Sequence, residues 1–399
     1  MSLMENKQIQ ALPKVMLVTT SRAEFGLFYW LIKELESSDS VEFQLVVTGN
    51  HLVPEQGYTV AEIESEGLPI AEKIDIIIAG SSAAAKAKSS ALGMMSFTDV
   101  FSRRQPDLVI VMGDRYELLG IVSAAALMSI PVAHFSGGEI TAGVVDDIVR
   151  HALTKLSYLH FVTHERHRKR VIQLGESPER VFNVGEPGLE HLFKTPLLNR
   201  EELSKSIGYS LTEKFMLFTF HPVSSDCSLN PAEQLREVLK ALAHHDNYQV
   251  LMTYPNTDEG SDCLLPLLRD FESKNANRVK LVPSLGFRRY LSALKHCQLV
   301  IGNSSSGLVE APCYGKATVN IGSRQDGRLR GVNVIDCDVY YREIVDAVAK
   351  ALTPQHQLIA RNGSNPYGDG KTVGKVIEII NKLKFPLPKI KSFYDLEDL

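Results

Sequence analysis

The sequence predicts an α/β chain of two domains, each a parallel sheet covered by helices. Three observations carry this. Stretches such as Leu108-Val109-Ile110-Val111-Met112 are apolar without alternation, the pattern of a strand buried on both faces. Amphipathic helical patterns separate these runs, and strand-helix alternation within one sheet means right-handed βαβ units. At 399 residues the chain exceeds what one core usually organises.

Taken in order, strands are expected at 14–19, 42–48, 74–78, 108–112, 131–135, 159–162 and 181–184. A second series follows at 215–220, 249–253, 279–282, 299–301, 317–320 and 332–335. The stretch 185–206, with Pro187 and Pro196, separates the series and reads as the hinge. We therefore place an N-terminal domain at 1–186 and a C-terminal domain at 187–371, with a cleft expected between them. Helices are expected at 341–351 and 372–383, and the last of these, extended to about 384, is a candidate to cross back onto the first domain.

Composition narrows the function classes. With 44% hydrophobic and 23% charged residues and a net charge of −4, the chain reads as an ordinary soluble protein rather than a nucleic-acid binder. Its one basic run, His164 to Arg170, reads as a solvated helix face. Cys227, Cys263, Cys297, Cys313 and Cys337 are scattered, without metal-ligand spacing, as reduced thiols of a cytoplasmic protein would be. No apolar run approaches a membrane span, and Met1 to Pro13 does not read as a signal peptide.

Chemistry-bearing residues gather at strand ends. Gly113-Asp114-Arg115 ends the 108–112 strand, where open α/β sheets bind ligands, and an acid beside a fixed cation suggests proton transfer next to an anion. The alternative is a helix cap beside a solvated arginine. Thr19 to Gly26 joins another strand to a helix at 25–36, whose free N–H groups, with Arg22, suit a phosphate; the alternative is a capped turn. It is not the GxGxxG of dinucleotide folds, which argues against hydride chemistry. His134-Phe135-Ser136-Gly137-Gly138-Glu139 offers two titratable groups, although a histidine at a strand end is more often structural. Asp146 and Asp147 open the next helix as catalytic acids or as its cap. Asp114, Glu139 and Asp146 converging on one side of the sheet would push each other's pKa values apart, separating acid from base.

In the second half, Thr219-Phe220-His221-Pro222 and Tyr254-Pro255-Asn256 end strands, with His221 and Asn256 able to donate to phosphate or sugar oxygens. The loop Ser304, Ser305, Ser306, Gly307 reads as an anion cradle at a helix start, without a Walker lysine. Glu310, expected on the first turn of that helix, suits a pair of ribose hydroxyls. Arg324 and Arg328 either close on the same phosphates or form a solvated loop.

As an ordered set these stretches resemble the UDP-N-acetylglucosamine 2-epimerases, and specifically their hydrolysing branch in sialic acid synthesis. The resemblance runs through Ser21-Arg22-Ala23-Glu24, His51-Leu52, Gly113-Asp114-Arg115, Gly137-Gly138-Glu139, Arg150-His151-Ala152, His221-Pro222, Ile301-Gly302-Asn303-Ser304-Ser305, Arg324-Gln325 and Gly327-Arg328. Val171-Ile172-Gln173-Leu174-Gly175-Glu176 and Ser364-Asn365-Pro366-Tyr367 are similar to the bacterial form. It implies a GT-B fold of two Rossmann-like domains. It also implies UDP contacts from Arg22, Gly26, Arg115, His221, Asn256, Ser304, Ser305, Ser306, Gly307, Glu310 and Arg324, and catalysis by Asp114, Glu139, Asp146 and His221. Many relatives carry Glu or His where this chain has Ser136, so a role held there passes to Glu139 or His134.

The reaction so implied removes the C2 proton of the sugar as UDP leaves C1, giving 2-acetamidoglucal. Water then adds at C1 and a proton returns to the opposite face of C2, yielding N-acetylmannosamine and UDP. No metal or other cofactor is expected. The partner is a UDP-sugar, with neither nucleic acid nor membrane, and the family suggests a homo-oligomer, dimer or tetramer. A hydrolysing UDP-N,N'-diacetylbacillosamine 2-epimerase of the legionaminic acid pathway is the alternative within the class. A catalytically inactive nucleotide-sugar-binding protein is the alternative outside it.

Overall fold

The computed structural model describes residues 11–80, 82–141, 145–212, 214–223, 229–255 and 263–396. The chain divides into two units, Met1–Glu190 with Gly370–Leu399, and His191–Asp369. In the first, β1 (Lys14–Thr19), β2 (Glu42–Thr48), β3 (Ile70–Ile74), β4 (Leu108–Met112), β5 (Val132–Phe135), β6 (Leu159–Val162) and β7 (Val181–Asn183) form one parallel sheet. Their order is β3-β2-β1-β4-β5-β6-β7.

Both faces of this sheet are buried, which is why its strands read as unbroken apolar runs. Val15 and Leu17 of β1 join Ile110 and Phe135 under the helix Arg22–Glu36, while Met16 and Val18 join Val109 and Val111 under the helices Ala83–Arg104 and Tyr116–Leu127. The helix Thr372–Lys382 returns to the first of these faces with Val373, Val376 and Ile380.

One strand differs from its expected position. The run 74–78 was the more apolar, yet β3 is Ile70–Ile74, because β2 ends at Thr48, the partner of Ile74, and Gly49 then turns away with φ +63°. Ile76 is buried without pairing. Glu72, in the middle of β3, is held by Arg103 at 2.7 Å and Arg104 at 2.8 Å.

The second unit repeats the plan with β8 (Phe215–Thr219), β9 (Gln249–Thr253), β10 (Val279–Val282), β11 (Leu299–Gly302), β12 (Thr318–Ile321) and β13 (Val334–Cys337), all parallel, in the order β10-β9-β8-β11-β12-β13. Each sheet therefore reverses its strand order once, between β1 and β4 and between β8 and β11, and the carboxyl ends of strands at such a reversal are where open α/β sheets take ligands. Cys263, Cys297, Cys313 and Cys337 are free thiols, and Cys227 lies outside the described residues. Among the described residues no helix is long and apolar enough to cross a membrane.

Candidate functional site

In the first unit the residues singled out above cluster beyond β4, β5 and β6. Gly113 takes φ +81°, and Asp114 follows with its side chain 26% exposed and paired to Arg150. Arg150 comes from the helix Val145–Leu156 and is itself buried. It also donates to the Glu139 carbonyl at 3.2 Å and to Thr141 Oγ1 at 3.1 Å, binding the loops after β4 and β5 to one guanidinium. Burial raises the Asp114 pKa and the charge of Asp146 adds to the rise, against the opposing pull of Arg150. Asp146 is exposed on the first turn of its helix, while Asp147 accepts from the Thr141 amide at 2.7 Å.

Glu139 accepts a hydrogen bond on Oε1 from Thr163 Oγ1 at 3.0 Å, just past the end of β6. The glycines before it are required by packing. A Cβ on Gly138, where φ is +79°, would stand 2.5 Å from the His167 carbonyl, and one on Gly137 would stand 2.9 Å from Thr154 Oγ1. Arg170 donates to the Gly138 carbonyl, so part of the basic run expected to be solvated instead clamps this loop, and His167 within it is buried. The run lies on a short amphipathic helix, Glu165–Gln173, whose inner face packs on the site. Ser136 has φ +60° and donates its amide to Phe161 at 3.0 Å.

His134 does not titrate in the useful range. It is wholly buried, and burial lowers its pKa to about 3. Neutral imidazole carries one proton; because Nε2 lies 2.7 Å from the Gly113 carbonyl, that proton sits on Nε2, while Nδ1 lies 3.2 Å from Thr154 Oγ1, whose own proton goes to the Arg150 carbonyl at 2.9 Å. His134 is thus a strut under the Gly113–Asp114 turn.

At the β1–β4 reversal a second cluster forms. Arg115 Nη2 reaches Glu117 Oε1 at 2.5 Å, and Glu117 is fully buried. Glu24 accepts from the Thr20 amide at 2.7 Å and hydroxyl at 2.8 Å, and burial raises its pKa to about 7 despite those bonds and the nearby Arg115. His51 lies 3.0 Å from Thr19 Oγ1 and 2.8 Å from Thr59 Oγ1. Arg22 pairs with Glu62 at 3.0 Å on the exposed side of its helix, and Gly26 lies in that helix with open space where a Cβ would stand.

In the second unit the reversal is built around Asn303. Its side chain accepts from the His221 amide at 2.7 Å and donates to the His221 carbonyl at 2.8 Å, locking the end of β8 to the end of β11. Gly302 has φ +132°, and a Cβ there would stand 1.9 Å from the Thr219 carbonyl. Arg324 and Gln325 donate to the Asn303 carbonyl at 3.3 and 2.8 Å. Ser304, with His221 and Thr219, lines a cavity of about 380 Å³, whose far wall is the segment from Pro283 to Phe287 and Tyr290. Asn256 lies outside the described residues.

The helix expected after Ser304 is shorter than the sequence suggested. It spans only Ser306–Val309, with Ser305 as its N-cap, and Glu310 is its C-cap instead of a first-turn residue. Pro312 stops it, since proline has no N–H to offer the preceding turn, and the chain goes on as a 3-10 turn over Ala311–Tyr314. Gly307 is needed where it is because a Cβ would stand 2.5 Å from the Thr318 side chain. Burial raises the pKa of Glu310, opposed by its own backbone amide, by the neighbouring Ser306 hydroxyl and by the charge of Arg328.

A family model described as UDP-N-acetylglucosamine 2-epimerase matches residues 33–381. The chain belongs to the UDP-N-acetylglucosamine 2-epimerase family. It is 38% identical to a GDP/UDP-N,N'-diacetylbacillosamine 2-epimerase (hydrolyzing) of Campylobacter jejuni, over 82% of this chain and 84% of that one. It is 36% identical to the polysialic acid biosynthesis protein P7 of Escherichia coli, over 96% and 98% of the two chains. A crystal structure of UDP-GlcNAc 2-epimerase from Neisseria meningitidis bound to UDP-GlcNAc superposes with a TM-score of 0.74 at 16% identity, over 93% of this chain and 100% of that one. The fold is thus the GT-B fold, two Rossmann-like domains.

In this member of the 2-epimerase family, Thr163 and His167 belong to the carboxyl cluster, Glu24 and Glu117 to the β1–β4 cluster, and the Pro283–Tyr290 wall to the second-unit cavity, none of them expected there from the sequence. For Glu24 a signal existed: Ser21-x-x-Glu24 is a capping-box spacing. Ser21 does accept from the Glu24 amide, at 3.5 Å, but the carboxylate turns to Thr20. Thr163 and His167 carried no signal of their own.

Proposed function

We propose that this chain hydrolyses UDP-N-acetylglucosamine with inversion at C2, releasing N-acetylmannosamine and UDP through 2-acetamidoglucal. What carries the reading is the carboxyl cluster beyond β4 to β6, where Asp114, half-buried and paired with Arg150, is coupled to the exposed Asp146 and neighboured by Glu139 through the same guanidinium. Carboxyl groups in such unlike surroundings titrate apart, as removal and return of a proton on opposite faces of C2 demand. We assign the proton transfers to Asp114 and Asp146, with Glu139 assisting.

The C2 proton is barely acidic, so catalysis rests mainly on stabilising charge on the departing diphosphate. We assign that task in the second unit to His221, the Ser304–Gly307 loop and Arg324, with Glu310 on the ribose. The rigid Asn303 clamp supports this, because donors held before charge develops cost no reorganisation during the reaction. In the first unit Arg22, Gly26 and Arg115 are assigned to the same ligand.

A second donor deserves testing because a relative at 38% identity is named for N,N'-diacetylbacillosamine, a sugar differing at C4 and C6. The experiment is NMR of the sugar released from each UDP donor in D₂O, with UDP release followed in parallel. We expect deuterium at C2, stoichiometric free UDP and a higher kcat/KM for UDP-N-acetylglucosamine. An unlabelled C2 would revive a hydride route. A higher kcat/KM for the bacillosamine donor reassigns the substrate, and UDP binding without any turnover would make the chain a sensor.

A further inference from the structure

We propose that Thr163 and His167 are positioning residues for Glu139, joined to it by a hydroxyl-bridged relay that orients its carboxyl group and favours the charged form. The inference rests on the role given to Glu139 above. Neither residue belongs to the motifs that mark the family resemblance, and His167 sits in a run whose composition suggests only a solvated face.

The geometry defines a single arrangement of protons. Thr163 Oγ1 lies 3.0 Å from Glu139 Oε1 and 2.9 Å from His167 Nδ1. A threonine hydroxyl has one proton, and a carboxylate can only accept, so that proton goes to Glu139. His167 Nδ1 must then be the protonated nitrogen and donate to Thr163 Oγ1. His167 is 8% exposed and Thr163 2%, so little water competes for either bond. Burial and the surrounding His164, Arg170, Arg166 and Arg150 keep the imidazole neutral at physiological pH, with a pKa of about 4. Its one proton is thereby committed to the relay.

The backbone around the relay is equally constrained. Gly138 packs against the His167 carbonyl, Arg170 holds the Gly138 carbonyl, and Arg150 holds that of Glu139. The groups facing Glu139 include the charged Arg150 and Asp147 on the helix Val145–Leu156, the neutral His167 and the charged Arg170 on Glu165–Gln173, and Asp114 through Arg150. Against this fixed background the hydroxyl engages one oxygen of Glu139, and a hydrogen bond to the ionised form lowers a carboxyl pKa.

The test compares Thr163→Val, Thr163→Ser, His167→Leu, His167→Asn and Glu139→Gln in the full chain, measuring kcat, KM, the pH profile and the thermal midpoint. Valine keeps the shape and removes the donor, and the asparagine amide nitrogen stands near the position of Nδ1. We expect Thr163→Val to lower kcat roughly 10- to 100-fold, the range for groups that orient a reacting residue, with KM changed less than about 3-fold. The acidic limb of its pH profile should move up by roughly one unit. Serine should restore both, and His167→Leu should be worse than His167→Asn. A folded Thr163→Val enzyme with wild-type kcat and pH profile overturns the relay. If Thr163→Val does not fold, equal behaviour of the two His167 variants overturns it. Wild-type turnover in Glu139→Gln brings down the role of Glu139 and the relay with it, whereas an inactive Glu139→Gln beside an unaffected Thr163→Val brings down the relay alone.

Discussion

Arg150 holds the Asp114 carboxylate with one guanidinium nitrogen and the Glu139 carbonyl, 3.2 Å away, with another. One side chain therefore sets both the charge environment of one candidate acid and the backbone position of another. Lysine cannot imitate this fork. Arg150→Lys is expected to lower kcat at least ~10-fold and to move the Asp114-dependent acidic limb upward, since Arg150 opposes the rise in the Asp114 pKa. Asp114→Asn should cost about 10²- to 10⁴-fold in kcat, as loss of a positioned acid or base does. Steady-state assays across pH decide both, and an Asp114→Asn enzyme keeping half of wild-type turnover would refute the assignment.

Glu24 makes stability fall as pH rises. Its folded pKa of about 7 exceeds that of the unfolded chain, near 4.5, so its protonated form favours the fold below pH 4.5 and that contribution drains away through pH 7. The full loss is on the order of 3 kcal/mol. Glu24→Gln, which keeps an acceptor for the Thr20 amide, should flatten this slope. Denaturation midpoints between pH 5 and 8 test it; parallel curves for the two proteins would show that Glu24 does not carry the slope.

Glu176 acts in the opposite sense. It is fully buried, and burial alone would raise its pKa, but hydrogen bonds from His160, Lys155 and Lys391 bring it down to about 2. Lys391 reaches it at 2.7 Å from near the C-terminus and also donates to the Ser157 carbonyl at 2.6 Å. Stability from this carboxylate is present above pH 4.5 and is lost as pH falls toward 2. Glu176→Gln should destabilise by about 3–5 kcal/mol in urea titrations, because the cations stay behind without their partner.

Gly302, at the β8–β11 reversal, and Gly26, assigned to the ligand, should respond differently to alanine. Gly302→Ala places a methyl group 1.9 Å from the Thr219 carbonyl at φ +132°, and calorimetry should show a loss of several degrees in thermal midpoint together with weakened UDP binding. Gly26→Ala meets nothing within 4 Å and lies in a helix, so it should stabilise by about 0.5–1 kcal/mol. A midpoint for Gly302→Ala equal to that of the parent would contradict the packing at the β8–β11 reversal.

The alternation of buried strands and amphipathic helices, and the loops in which Asp114, Glu139, His221 and Ser304 stand, were legible in the residue order. Burial on both faces writes itself into a strand as an unbroken apolar run, as in Leu108–Met112, and a motif at the end of such a run must lie at a sheet edge. Length of elements was less legible where a neighbour decides it: β3 ends where its partner β2 ends, and Pro312 cuts short the helix that Ser306 begins.

Partner choice belonged to the tertiary structure. Arg115 pairs with Glu117, two residues away; Arg150 finds Asp114 across 36 positions; and Thr163 joins Glu139 to His167. A charged side chain takes whichever partner the strand order and helix packing bring within hydrogen-bond reach, and desolvation then sets its protonation. Local sequence determines which residues line an edge, because that depends on neighbours along the chain. What each of them holds depends on neighbours in space, and only the folded sheet supplies those.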